Sequence, residues 1–240
     1  MASPTRPGLS PAPTSPRHWL LALLVALFVP CATVGQTSDA PTADTAPLML
    51  AVSAESILAA GAAPGAQVAW FGVSRSFNGQ VPTMTRFEEI VVDDDLDGVV
   101  ELATGAPISE RSVFVAVDLG TGALGVLTPN PAAVREVAPP ADNVRPDGSG
   151  LGARLDRIAD RRPYAELFLV RPTVGAWGLS IGKGTQDDEA DAEAEGFVAA
   201  LASFRPLGDT AVEPGEVLGG DVLVAVDRHS LEFYAVRLVR

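Results

Sequence analysis

The hexapeptide VFVAVD at residues 113–118 recurs as VLVAVD at residues 222–227, with five of its six positions identical. Every residue before the aspartate is apolar, so neither face of the segment suits water. A strand with two apolar faces is typically covered on both sides. The pair therefore predicts an internal repeat of two related β halves that pack together through these strands. The alternative is a chance likeness between two valine-rich strands.

An acidic stretch lies upstream of each copy of the hexapeptide and extends the predicted repeat. The first is DDDLDG at residues 93–98, and the second is DAEAEG at residues 191–196. An apolar run follows the glycine in both cases. The second copy is longer, and its extra residues fit the Pro- and Gly-rich segment 206–220, where a loop insertion costs little free energy.

Short apolar, β-branched runs separated by Gly, Pro and Asp extend in both directions from the hexapeptides. A spacing of about ten residues between such runs is typical of an all-β sandwich or barrel. The predicted strands are 48–52, 67–75, 84–92, 99–102, 112–118, 124–128, 165–171, 176–181, 222–227 and 231–239. We therefore predict a mostly β fold with two related sandwich-like halves.

Two segments carry a helical period. Leu151, Leu155 and Ile158 form one apolar stripe and predict a short helix over 151–162. The segment 197–204 fits a helix by the same spacing and a strand by the repeat. Gly196 would weaken a helix at that place, so the repeat favours the strand.

These features divide the chain into five parts. Residues 129–150 are rich in proline and poor in apolar residues and predict a connection between the halves, which extends to the end of the expected helix. The predicted parts are a secretory signal peptide at 1–35, a flexible tether at 36–47, a first β domain at 48–129, a connection with the helix at 130–163 and a second β domain at 164–240.

The composition excludes several classes of protein. Among 240 residues there are 17 Lys and Arg against 30 Asp and Glu, which gives a formal net charge of −13. Binding to nucleic acid or to anionic lipid needs an excess of positive charge, so neither is expected. The single cysteine, Cys31, excludes a disulfide framework and a multi-cysteine zinc site.

The N-terminal segment has the pattern of an export signal. Arg6 and Arg17 precede the apolar run at 19–29, which is too short for a membrane span of roughly 20 residues. Cleavage after Gly35 is expected. Pro30 departs from the lipobox pattern before Cys31, so lipidation there is not expected. We predict export to the periplasm, the cell surface or the medium, where a protein or glycan would be the partner.

Residues 63–68 (APGAQV) resemble a turn-to-strand phrase of bacterial secreted immunoglobulin-like β-sandwich modules, in which Pro-Gly forms the turn before a core strand. The Asp-rich turn between apolar runs at 90–100 is also similar to hairpins in such modules. The resemblance implies a β-sandwich outside the cytoplasm. It implies no activity, because modules of this kind share no catalytic site.

The acidic turn at 93–98 fits D-x-D-x-D-G, the opening half of a calcium loop, in which alternate carboxylates converge on one hard cation. The twelfth position is Thr104 rather than a bidentate glutamate, so the segment is not an EF-hand. The candidate calcium ligands are Asp93, Asp95, Asp97, the carbonyl of Val99, and Glu101. The alternative is a solvated acidic turn, because Asp and Gly favour turns in any case.

Other motifs point away from catalysis. The DLGTG segment at 118–122 is similar to a phosphate loop, but a tight hairpin turn explains it more simply. His229 is the one histidine expected in the exported chain, and no G-x-S-x-G accompanies it. Trp70 and Trp177 lie in apolar runs and are expected in the core rather than on a sugar-binding surface.

The leading functional prediction is an exported, non-enzymatic module for binding, adhesion or structure, with calcium as a stabilising ion. The first alternative is an exported hydrolase that uses two carboxylates on a glycan. The second alternative is a subunit of a cell-envelope assembly. A hydrolase predicts a cleft in which two acids converge, one of them desolvated.

Overall fold

Short β-strands dominate the computed structural model, which describes residues 46–53, 55–78, 81–105, 107–139, 150–153, 165–181 and 197–239. The strands are β1 (Met49–Ser53), β2 (Ser56–Ala60), β3 (Gln67–Asn78), β4 (Val81–Val92), β5 (Val99–Ala103), β6 (Ser112–Asp118), β7 (Leu124–Leu127), β8 (Arg135–Glu136), β9 (Gly150–Ala153), β10 (Ala165–Arg171), β11 (Gly175–Ile181), β12 (Phe197–Ala200), β13 (Arg205–Pro206), β14 (Val222–Asp227) and β15 (Glu232–Arg237). The mostly β character expected from the sequence is therefore confirmed. The predicted signal segment and the second acidic stretch lie outside the described residues.

The strands form four sheets. One has the order β1-β2-β5, the second β4-β3-β6-β7, the third β13-β11-β10-β14-β15-β8, and the fourth is the pair β12-β9. We call the second and third the first and second inner sheets. All pairings are antiparallel except the one between β15 and β8. No helix that is long and apolar enough to cross a membrane occurs among the described residues.

The two halves of the chain arrange their strands in the same order. The first inner sheet is β4-β3-β6-β7, and four neighbouring strands of the second are β11-β10-β14-β15. In each half, the strand that precedes the four-strand group in the chain pairs with the strand that follows the group's first hairpin. These pairs are β2 with β5 and β9 with β12. The two hexapeptides thus hold the same place, β6 and β14, in two sheets of like topology.

The two inner sheets face each other across one hydrophobic cluster. Val113, Val115 and Val117 of β6 lie in it together with Val222, Val224 and Val226 of β14. Contact between the halves through the repeated strands is therefore present, as the two apolar faces of each strand predict. The interface also joins the halves by hydrogen bonds, one of which runs from the Thr173 N–H to the Leu119 carbonyl over 2.5 Å.

The outward-facing residues of the hexapeptides enter two further clusters. Phe114 and Ala116 pack with Trp70 and with side chains of β2 and β5. Leu223 and Ala225 pack with Trp177 and with residues that follow β12. Both tryptophans are completely buried, so the prediction that they belong to the core is confirmed.

The structure corrects the expectation for residues 151–162. The helix is wrong for residues 151–153, which lie in β9 and pair with β12, and residues 154–162 lie outside the described residues. Gly150 and Gly152 disfavour a helix, while the ladder with β12 satisfies their backbone groups. The segment 197–204 starts as strand β12, as the repeat favours, and ends in a 3-10 turn at Leu201–Ser203. Strand β2 was not predicted.

Candidate functional site

The acidic turn connects β4 to β5 and brings three predicted ligands together. One carboxylate oxygen from each of Asp93, Asp95 and Asp97 lies within 4.8 Å of the others. Asp95 and Asp97 are exposed, whereas Asp93 is only 2% exposed. The turn therefore gathers three negative charges at one point on the surface, with one of them withdrawn from water.

Asp93 holds the turn in place through one of its two carboxylate oxygens. Its Oδ2 accepts hydrogen bonds from the N–H groups of Gly65 and Gly98, both at 3.0 Å. Its own N–H donates to the Ala66 carbonyl at 2.9 Å. Asp93 Oδ1 is buried and has no hydrogen-bond partner. Oδ2 thus holds the turn together, whereas Oδ1 accepts no hydrogen bond.

Glycine is required at position 98 for two reasons. Its φ of +76° lies in the left-handed region, which other residues rarely adopt. A Cβ there would also lie 3.0 Å from the Ala62 carbonyl oxygen. A hydrogen bond of 3.1 Å from the Gly61 N–H to the Gly98 carbonyl holds the two backbone segments close together. The final glycine of D-x-D-x-D-G thus fixes the turn against the preceding loop.

The pKa values of two neighbouring carboxyls in the turn shift in opposite directions. Burial acts to raise the pKa of Asp93, but the N–H donors of Gly65 and Gly98 outweigh it and the net pKa is lowered. The pKa of Asp95 is raised, by burial first and then by its contact with the Asp93 carboxylate and the charge of Asp97. The neighbouring negative charges thus contribute to the raised pKa of Asp95, and a cation between the carboxylates would offset them.

Two further predicted ligands lie on β5, beyond the turn. The Val99 N–H donates to Asp97 Oδ1 at 2.8 Å, so this residue helps to close the turn. Glu101 is exposed and lies opposite Leu58 in the ladder between β2 and β5. It is not among the carboxylates that the described residues bring together with Asp93.

A second charged cluster, which sequence reasoning missed, lies at the interface of the two inner sheets. Glu166 on β10 is completely buried. It forms ion pairs with Arg86 of β4, whose Nε lies 3.2 Å from Glu166 Oε2, and with Arg228, which follows β14. Arg86 also pairs with Glu88. We call these four residues the interface ion cluster.

The partners of Glu166 come from both halves of the chain. Ser180 on β11 donates to Glu166 Oε1 at 2.9 Å, and Arg228 Nη2 lies 2.6 Å from the Ser180 hydroxyl. The guanidinium of Arg86 also lies over the Phe168 ring, 5.5 Å from its centroid. A buried carboxylate needs such compensation, because an unpaired charge in the interior is costly. The sequence signal was a single glutamate inside the apolar run AELFLV.

Burial shifts pKa values in the interface ion cluster as well. Burial raises the pKa of Glu88, against the opposing charge of Arg86. Burial also lowers the pKa of Arg228, and the nearby positive charge of Arg86 adds to this effect. Glu88 and Glu166 therefore share Arg86, and burial makes Glu88 hold its proton more tightly than an ordinary glutamate does. Glu166 has no exposed surface, so solvent does not reach it.

The DLGTG segment forms a hairpin turn, and its backbone donors are used within the turn. Asp118 Oδ1 accepts from the N–H groups of Gly120 at 2.7 Å and Thr121 at 3.1 Å. In the second half, Asp227 Oδ1 accepts from His229 at 2.6 Å and Ser230 at 3.3 Å. The donors that a phosphate would need are thus directed to an aspartate, and His229 lies exposed in the matching turn.

No protein-family model matches the sequence, and no curated protein matches it either.

Proposed function

We propose that the protein is an exported, non-enzymatic β-rich module, whose role is to bind a protein or glycan outside the cytoplasm or to support a structure there. One observation carries this proposal: the aspartates that follow the two hexapeptides and the buried Glu166 are engaged in holding the fold. Asp118 and Asp227 each close a hairpin turn, and Glu166 is buried and neutralised between two sheets. Groups committed in this way favour a scaffold over a catalyst.

We further infer that the two halves arose by duplication of one β unit. The common strand order supports this, and so does the detail of the turns after the hexapeptides. In each turn the aspartate carbonyl accepts from the residue four positions on, Gly122 at 2.7 Å and Leu231 at 2.9 Å. Both of these residues have positive φ, +70° and +59°. The same hydrogen bond and the same backbone conformation thus recur at matching places in the two halves. The sandwich-like halves also agree with the resemblance to immunoglobulin-like modules.

A carboxylate-based hydrolase is the second candidate, and the interface ion cluster favours it. Glu88 and Glu166 both contact Arg86, and burial raises the pKa of Glu88. A glycosidase uses such a pair, one carboxyl as the acid and one ionised. The complete burial of Glu166 argues against it, because a carboxylate that acts on substrate must reach the scissile bond.

The export part of the proposal is tested by expressing the full chain in a bacterial host and measuring the mass of the recovered protein. We expect an extracytoplasmic protein that begins at Gln36. Recovery of uncleaved chain in the cytoplasm would contradict export.

The binding part is tested by incubating the purified protein with insoluble peptidoglycan, chitin and cellulose, and with chromogenic glycosides. The module proposal expects retention on a polymer or no interaction, with no release of the chromophore. Glycoside cleavage that is lost in Glu88→Gln and retained in Glu89→Gln would favour the hydrolase instead. Glu89 is the matched control because it is the exposed neighbour on the same strand.

A further inference from the structure

We propose that the acidic turn is a calcium site, in which Asp93, Asp95 and Asp97 provide the protein's carboxylate ligands. The inference concerns stability and stands independently of the proposed function. Three carboxylate oxygens within 4.8 Å of one another can reach one ion. Calcium accepts irregular sets of oxygen ligands and completes them with water, which suits a turn with three protein carboxylates.

The second observation is that Asp93 Oδ1 is buried and accepts no hydrogen bond. A buried acceptor without a hydrogen bond is costly and rare in folded proteins, so its persistence calls for an explanation. Asp93 Oδ1 is such an atom, and the residue that carries it is only 2% exposed. Its companion oxygen is already saturated by Gly65 and Gly98. A cation held with Asp95 and Asp97 would satisfy the free oxygen.

The surroundings of Asp93 indicate that a cation would enter a preformed turn. The backbone on both sides of the turn is fixed, by the Asp93 N–H on the Ala66 carbonyl and by the Gly61 N–H on the Gly98 carbonyl. Asp95 and Asp97 lie on the exposed side, which leaves the approach open to water. A calcium ion there would bind with a dissociation constant on the order of 10⁻⁴–10⁻³ M, the range of extracellular modules with few ligand charges.

The test compares thermal unfolding of the purified protein and two variants, in chelator and in calcium up to about 10 mM. At roughly ten times the dissociation constant, calcium is expected to raise the Tm of the wild type by about 3–6 °C. Asp95→Asn removes an exposed ligand and leaves the hydrogen bonds from Gly65 and Gly98 to Asp93 in place, so its Tm shift should be lost. Asp94→Asn removes the same charge from the same turn but no proposed ligand, so its shift should be retained.

Five outcomes decide the proposal. A shift in the wild type and in Asp94→Asn that disappears in Asp95→Asn supports the site, as does calorimetric binding of one calcium per chain that Asp95→Asn abolishes. An unchanged wild-type Tm overturns it. Equal shifts in all three proteins also overturn it, because they would reflect general screening of charge. A response to magnesium equal to that with calcium contradicts the assignment of the ion.

Discussion

Phe71 of β3 and Phe168 of β10 stack on each other across the interface of the two inner sheets, with ring centroids 4.2 Å apart and planes inclined by 27°. They occupy the same position in their halves, since each lies opposite the third residue of a hexapeptide, Val115 or Val224. Contact between like positions is what packing around a two-fold axis produces. The stacked pair thus marks the centre of the shared core.

Replacing Phe71 by alanine should lower the free energy of unfolding by about 3–5 kcal/mol, because the ring is completely buried and its removal leaves a cavity. Phe168→Ala should cost a similar amount, and the double variant should cost less than the sum because the two rings contact each other. Denaturant unfolding measures all three. Val239→Ala is the control, since Val239 is 60% exposed and its loss should stay within about 0.5 kcal/mol. Strict additivity would show that the rings do not share an interface.

Glu166→Gln should destabilise the protein by roughly 2–4 kcal/mol, because it leaves Arg86 and Arg228 close together without their shared anion. Both arginine side chains are about 30% exposed, so water screens their charges. The expected loss of stability therefore lies at the lower end of the range for buried ion pairs. Equilibrium unfolding in urea measures the difference. Glu89→Gln on the exposed side of β4 should leave the midpoint unchanged. A neutral result for Glu166→Gln would mean that water already compensates the arginines.

The raised pKa of Glu88 has a defined effect on the pH dependence of stability. The folded state holds this proton more tightly than the unfolded state, whose glutamate titrates near the ordinary value of 4.5. The resulting stabilisation is complete below that pH and is lost as pH rises through the folded pKa. The stability of Glu88→Gln relative to the wild type should therefore increase as pH rises from below 4.5. Melting curves across pH 3–8 measure this difference, and a flat or falling difference would contradict the shift.

Arg171→Lys should loosen the loop at 207–221 that separates β13 from β14. The Arg171 guanidinium binds both oxygens of the buried Asp221 at 2.9 Å and also donates to the Glu216 carbonyl. Lysine cannot reproduce this forked geometry. We expect faster cleavage at Glu216 by a glutamyl-specific protease, with Arg205→Lys as the exposed control. Equal cleavage rates in the variant and the wild type would exclude Arg171 as the clamp.

The sequence predicted the strands whose composition is decisive and missed those with little local signal. The hexapeptides were recognisable because apolar residues on both faces leave few alternatives to a covered strand. Strand β2 (SILAA) is short, and three of its five residues are alanine or serine, so nothing local distinguishes it. The first residues of the predicted helix form β9, because pairing with β12 outweighs a local period.

The two candidate sites also differ in how far the sequence predicts them. The acidic turn is contiguous in the chain, so its three aspartates could be predicted to converge from their spacing alone. The interface ion cluster joins Arg86, Glu166 and Arg228, which are brought together only by the packing of two sheets. Arg86 and Glu88 also place inward-pointing charges on β4, a long strand at the edge of its sheet. Such charges discourage edge-to-edge aggregation, which gives them a structural reason to be there.

The measurement that tests the shared core most directly is to express residues 48–129 and 130–240 separately, so that β8 and β9 stay with the strands they pair with, and to record the oligomeric state and thermal unfolding of each fragment. Each half alone would expose the apolar face that holds Phe71 or Phe168. The account predicts that neither is a stable monomer and that mixing the two restores cooperative unfolding. Two monomeric halves that each unfold cooperatively would contradict a core that the halves build together.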